Sequence, residues 1–175
     1  MLQLILVTIL QLKGTSMLKK LVSLLMILGS FIHADTPVSG VNFSQAVYQE
    51  REIINSASQK SKKYIPVQTA QRGSELVYVN SIINKSDIAR KKLVVDNPIP
   101  FGVRYVAGSA SCQGSCEILF SIDGGKSFKK GEELYVIFGT AKRLAKESEY
   151  THIKYIFPLI QPHSQTRMAF KGIVK

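Results

Sequence analysis

Two cysteines four positions apart, in the stretch Ser111-Cys112-Gln113-Gly114-Ser115-Cys116, are the residues of this chain with the clearest capacity for chemistry. In an oxidising compartment, two cysteines sharing one glycine-containing loop are read as a disulfide. So short a closed loop constrains little of the unfolded chain, and the bond is worth about 2 kcal/mol, enough to pin a loop but not to hold a domain. Metal binding is the rival reading. It needs further ligands, and His152, His163 and Met168 stand at no recognisable spacing from the cysteines. A redox-active pair is the third reading, although the spacing is not the C-x-x-C of thioredoxin-like proteins.

The remaining reactive side chains are less organised. His152 precedes an alternating apolar run and His163 lies in a polar stretch, where each reads as a surface or hydrogen-bonded histidine. Hydrolytic chemistry wants a nucleophile, a base and an orienting acid, and no nucleophile elbow or comparable motif is present. Asp123-Gly124-Gly125-Lys126 lacks the spacing of a phosphate loop or an EF-hand and reads as a hairpin turn. The sequence therefore predicts no catalytic residue, no cofactor and no metal site, leaving Cys112 and Cys116 as a disulfide candidate.

The elements that carry these residues are read as strands. Tyr64 to Thr69 is a first strand, whose Pro66 suits a sheet edge. In the second, Leu76, Tyr78 and Ile82 share one face at period two, while Val77, Val79, Ser81 and Ile83 share the other. Asn80 breaks the apolar face: either it finds a partner inside, or burial stops early, because an unpaired buried amide costs about 1–3 kcal/mol. A third strand runs through Leu93, Val94 and Val95, stops at Asp96-Asn97-Pro98-Ile99-Pro100, and resumes over Val103 to Val106. Glu117 to Ile122, Leu134 to Phe138, the alternating Ile153-Tyr155-Phe157 and the alternating Met168-Phe170 to Val174 complete the set, with Ala141 to Glu149 as a helical or irregular excursion and Pro158 to Gln165 as a connection. About seven short strands without a helical crossover predict an all-β, antiparallel sandwich of immunoglobulin-like type.

The amino terminus reads as a secretory signal. Lys19 and Lys20 precede an apolar run from Leu21 to Ile32, then His33 and Ala34 before the polar Asp35. As a helix that run rises roughly 18 Å, short of a hydrocarbon core of about 30 Å. Residues 1–34 are thus predicted to be a signal peptide cleaved after Ala34, with Met17 as an alternative start and retention as a membrane anchor as the competing reading. No cysteine follows the cut, which argues against a lipoprotein anchor. Residues 35–63 are polar, include a stretch, Gln45 to Ile54, that could wind into a short helix, and read as a leader or linker; the domain spans 64–175. Removing Lys13, Lys19 and Lys20 takes the formal charge from +11 to +8. The cations are dispersed in clusters, at Lys60-Lys62-Lys63, Arg90-Lys91-Lys92, Lys126-Lys129-Lys130 and Lys142-Arg143-Lys146. Such clusters read first as solvated strand edges. Their functional reading is attraction to an acidic surface, such as anionic lipid, lipopolysaccharide or a glycan; an exported chain has little use for nucleic acid.

From Tyr64 to Lys175 the pieces YIPVQTAQRGSELVYV, NKSD, LVVDNPIPFGVRYVAGSAS, ILFSIDGGKSF, EYTHIKYIFP and PHSQTRMAFKGIVK, in that order, resemble the bacterial conserved-repeat family called domain of unknown function eleven. The resemblance implies an immunoglobulin-like sandwich in an exported or envelope protein, acting as spacer, adhesive module or assembly unit, with no family active site. The Cys112–Cys116 insert and Asn80 depart from that pattern. The expectation is a periplasmic or secreted, non-enzymatic domain with a protein partner in the cell envelope, meeting the membrane only through an uncleaved signal. The rival expectation is a salt-sensitive binder of an acidic envelope component.

Overall fold

Strict apolar alternation builds the interior of this protein. The computed structural model describes residues 40–54, 56 and 59–175, and the predicted signal peptide lies outside them. Among the described residues there are eleven strands: β1 (Val41–Ile54), β2 (Lys60–Pro66), β3 (Glu75–Asn84), β4 (Arg90–Pro98), β5 (Val103–Tyr105), β6 (Ser111–Cys112), β7 (Glu117–Ser121), β8 (Tyr135–Phe138), β9 (Ala141–Leu144), β10 (His152–Ile160) and β11 (Ser164–Val174). All pairings are antiparallel. A six-stranded sheet runs β2-β1-β3-β11-β5, with β6 also on β11; a three-stranded sheet runs β4-β10-β7; β8 and β9 pair only with each other.

The two larger sheets share one core. Leu76, Tyr78, Ile82, Met168 and Phe170 come from β3 and β11, and Ile153, Tyr155, Phe157 and Ile160 come from β10. Tyr78 stacks on Phe170 within the larger sheet, 4.7 Å between ring centroids. Tyr155, fully buried, donates its hydroxyl to the Ala169 carbonyl at 3.0 Å and so ties one sheet to the other. Burial pushes that phenol's pKa well up, and pushes the Tyr78 hydroxyl up to about 12. At Gly172 an added Cβ would run into the Val103 side chain, so only glycine lets β5 lie against β11 there.

Two asparagines on the inward face of β3 have opposite fates. Asn84 donates to the carbonyls of Ile88 (2.8 Å) and Gln161 (3.0 Å), and its oxygen accepts from the Ser86 hydroxyl at 2.7 Å and the Ser86 N–H at 3.2 Å. It thus clasps the β3–β4 turn to the β10–β11 turn. Asn80, four residues earlier, is just as buried, yet neither polar atom of its side chain has a hydrogen-bond partner among the described residues. Neither alternative offered by the sequence holds, since burial continues past Asn80 to Ile82 and Asn84.

Several sequence expectations are corrected. Residues 45–54 are not helical and residues 41–54 are not linker: β1 pairs with β3 from Val41 to Gln49, so the sheet begins well before residue 64. The reason is visible in Val41, Phe43 and Val47, which pack against the core at period two despite the polar residues between them. The strand placed at Tyr64–Thr69 is β2, shifted to Lys60–Pro66. Val103–Tyr105 does not resume the third strand in place; after the Pro98–Pro100 break it crosses to the larger sheet and joins β11. Residues Ala141–Leu144 form a strand, followed by a 3-10 turn at Glu147–Glu149, rather than the helical or irregular excursion expected. β10 continues through Pro158 to Ile160, and its register with β4 skips Pro158 and Lys92, where a φ of +51° at Lys92 kinks β4.

Candidate interaction edge and the cysteine loop

The cysteine loop is a structural clip. Cys112 and Cys116 are joined by a disulfide. β6 places Cys112 directly opposite Met168 of β11, the Gln113 N–H donates to the Arg167 carbonyl (2.7 Å), and Thr166 donates its hydroxyl to the Gln113 carbonyl (2.9 Å). The first half of the loop, Ser111 to Gln113, is therefore sewn to β11. Met168 is buried in the core. His152 opens β10 and His163 follows its far end, so roughly 25 Å of strand lies between the two residues. Among the described residues no three His, Cys, Asp or Glu side chains converge as metal ligands would.

Each remaining polar candidate is engaged locally. His163 meets Asp87 at 2.8 Å, joining the same two turns that Asn84 clasps. His152 contacts the Thr151 hydroxyl and packs edge-on to Phe128. Asp123 accepts from the Ser121 and Ser127 hydroxyls, each at 2.6 Å, and from the N–H groups of Lys126 and Ser127. These donors, the Ser121 hydroxyl foremost, hold its carboxyl far below the usual range. Gly124 and Gly125 supply the positive φ values that so tight a turn requires.

The larger sheet turns a shallow groove of about 540 Å³ to the outside, floored by Ala46, Val77, Val79 and Ala169 and flanked by Tyr48, Tyr64 and Arg167. An ion ladder closes one end: Lys62 meets Glu50 at 2.6 Å, and Lys171 reaches both Glu50 (3.4 Å) and Glu75 (2.9 Å). The Lys62 ammonium is the main cause of the lowered Glu50 pKa, and Glu75 the main cause of the raised Lys171 pKa. With Lys60 paired to Glu52, β2 presents a lysine-rich edge of the kind that discourages sheet-to-sheet pairing.

A second open edge is β4, whose first three residues, Arg90, Lys91 and Lys92, are cationic as well, while Leu93 to Pro98 carry no cation. This nine-residue strand pairs with β10 on one side, and no described strand covers the other. Beyond the Lys92 kink, Leu93 to Asn97 run in regular register with Ile153 to Phe157. Val94 is half exposed on the outer face. Asp96 Oδ1 and Asn97 Nδ2 are shielded from solvent without a hydrogen-bond partner among the described residues. Asp96 and Asn97 read in sequence as strand-ending turn residues; the alternation Leu93, Val95, Asn97 was the signal that the strand continued, and an edge tolerates the proline that follows. No protein-family model matches the chain, and no curated protein or solved structure matches it either.

Proposed function

We propose that this protein is a non-catalytic, exported domain of a bacterial cell envelope, an immunoglobulin-like sandwich that holds a protein partner along β4. The observation that carries the reading is the open β4 edge, where the regular run Leu93 to Asn97 has no described strand on its outer side. An added strand would satisfy such an edge directly. The engagement of Cys112, Cys116, Asp123 and His163 in local ties supports a structural rather than a catalytic use of these groups. The sequence pieces that resemble the conserved-repeat family fall on β2 to β5, β7, β10 and β11, in keeping with that reading. Signal-peptide export is part of the proposal, and a mature amino terminus at Asp35 is its expected mark.

A photo-crosslinking residue at Val94 tests it in intact cells. One discrete envelope-protein adduct is expected from position 94 and none from Tyr48, on the outer face of the other sheet. No adduct at 94, or the same adducts from both sites, would count against the edge.

A second reading, a salt-sensitive binder of an acidic envelope component, is favoured by one place. The β8–β9 hairpin carries cations beside exposed apolar side chains.

A further inference from the structure

We propose that the β8–β9 hairpin docks the domain onto an anionic lipid bilayer by inserting its apolar tip; this inference rests on the acidic-surface reading. The hairpin is rigidly rooted. Leu134 and Ala145 are buried at its base, where the Ala145 N–H donates to the Leu134 carbonyl at 2.8 Å, and Val136 packs against the core. Arg143 is held by both oxygens of Glu149, at 2.6 and 2.7 Å. Beyond this base the burial pattern inverts. Tyr135, Ile137 and Leu144 share one face by register, and all are exposed, Ile137 at 72%; Phe138, at the tip, is 60% exposed.

Charge is distributed to match a lipid surface. From Leu134 to Lys146 the cations are Lys142, Arg143 and Lys146 and there is no acid, whereas Glu132, Glu133, Glu147 and Glu149 all lie at the root. Lys142 stands directly across from Ile137 and lays its ammonium 4.3 Å from the Tyr135 ring, its stem lying along the apolar face. A lysine so placed buries its methylenes while its charge reaches the headgroups. Four strand residues extend roughly 13 Å, enough for the tip to enter the about 5–10 Å that interfacial segments occupy. A protein partner would need on the order of 800 Å² of complementary surface on each side. A two-stranded tip offers far less, but lipid insertion needs only apolar area and nearby cations.

The chain has no tryptophan, so Phe138→Trp makes a single local reporter. In the full chain, whose amino-terminal apolar runs can bind lipid by themselves, only such a local signal is informative. With vesicles of phosphatidylcholine and phosphatidylglycerol, emission from the tip indole should shift to the blue and become shielded from aqueous quencher, while a Phe101→Trp reporter, at the most exposed aromatic among the described residues, should stay unchanged. Ile137→Ser should raise the lipid concentration needed by about tenfold. Lys142→Gln should raise it about fivefold. Unchanged thermal unfolding of each variant shows that the fold is intact. Vesicle binding with a silent tip indole overturns the hairpin inference while leaving the acidic-surface reading standing; no binding at all overturns both. An equal shift of the tip indole on pure phosphatidylcholine overturns the requirement for anionic lipid.

Discussion

β3 and the β8–β9 hairpin are both built from alternating large side chains, yet one lies at the centre of the protein and the other stands outside it. Along β3, Leu76, Tyr78 and Ile82 are covered by β10 of the facing sheet. Along the hairpin, Tyr135 and Ile137 are exposed, and among the described residues of β8 it is Val136, on the reverse side, that packs against the core. Period two in the sequence specifies that a strand has two faces. What occupies each face is decided by where the chain places a second sheet, which lies outside the strand itself.

The sharpest way to break the comparison is to truncate one side chain in each region. Phe157→Ala, in the middle of β10, should cost about 3–5 kcal/mol in chemical denaturation, because the cavity left behind adds to the lost burial. Ile137→Ser should fall within about 0.5 kcal/mol of the parent, as exposed substitutions do. Comparable losses at both sites would mean that the hairpin face is covered in solution.

The buried asparagines sharpen the same contrast inside β3. Asn84→Ala strands the carbonyls of Ile88 and Gln161 and should destabilise by about 1–3 kcal/mol. Asn80→Leu removes a buried side-chain amide without a hydrogen-bond partner among the described residues, and should stabilise by about 1 kcal/mol. Opposite signs from two residues of one type, on one face of one strand, are the expected result in denaturant midpoints. Next comes the clip: Cys112→Ser should cost about 2 kcal/mol, the entropy of so short a loop, with no change elsewhere in the fold.

These particulars show what was legible in the sequence. β3, β10 and β11 were readable because sustained alternation, interrupted in β3 by Asn80, marks a strand covered on one face, and the all-β class with its antiparallel pairing followed. The disulfide was readable because two cysteines in one short loop have few other uses in an oxidising compartment. β1 was not, since Gln45 on the inward face, with Ala46 and Tyr48 on the outward one, blurs an alternation that matters only once β3 lies beside it. The crossing of Val103–Tyr105 to the other sheet was equally hidden, because two prolines mark a break without saying where the chain goes next. The β4 edge and the hairpin tip were missed for a common reason. Their character comes from what is absent beside them, and a sequence pattern reports only what a strand itself contains.

The smallest expected effect bears on how the hairpin is held. Glu149 is held down to about 2 by the Arg143 guanidinium and then by the Lys146 N–H. A carboxylate depressed in the folded state contributes stability that is present above its ordinary value of 4.5 and is lost as the pH falls through the folded value. The pair is solvent-accessible, so the global midpoint should move little. Locally the consequence is distinct: amide exchange at Ala145, whose N–H closes the hairpin base, should lose protection between pH 4.5 and about 2, while Tyr155 in β10 keeps its own. Glu149→Gln should bring the loosened base to neutral pH. Because the ion pair fixes the base and the exposed side chains lie beyond it, that variant separates the rigidity of the hairpin from the chemistry of its tip.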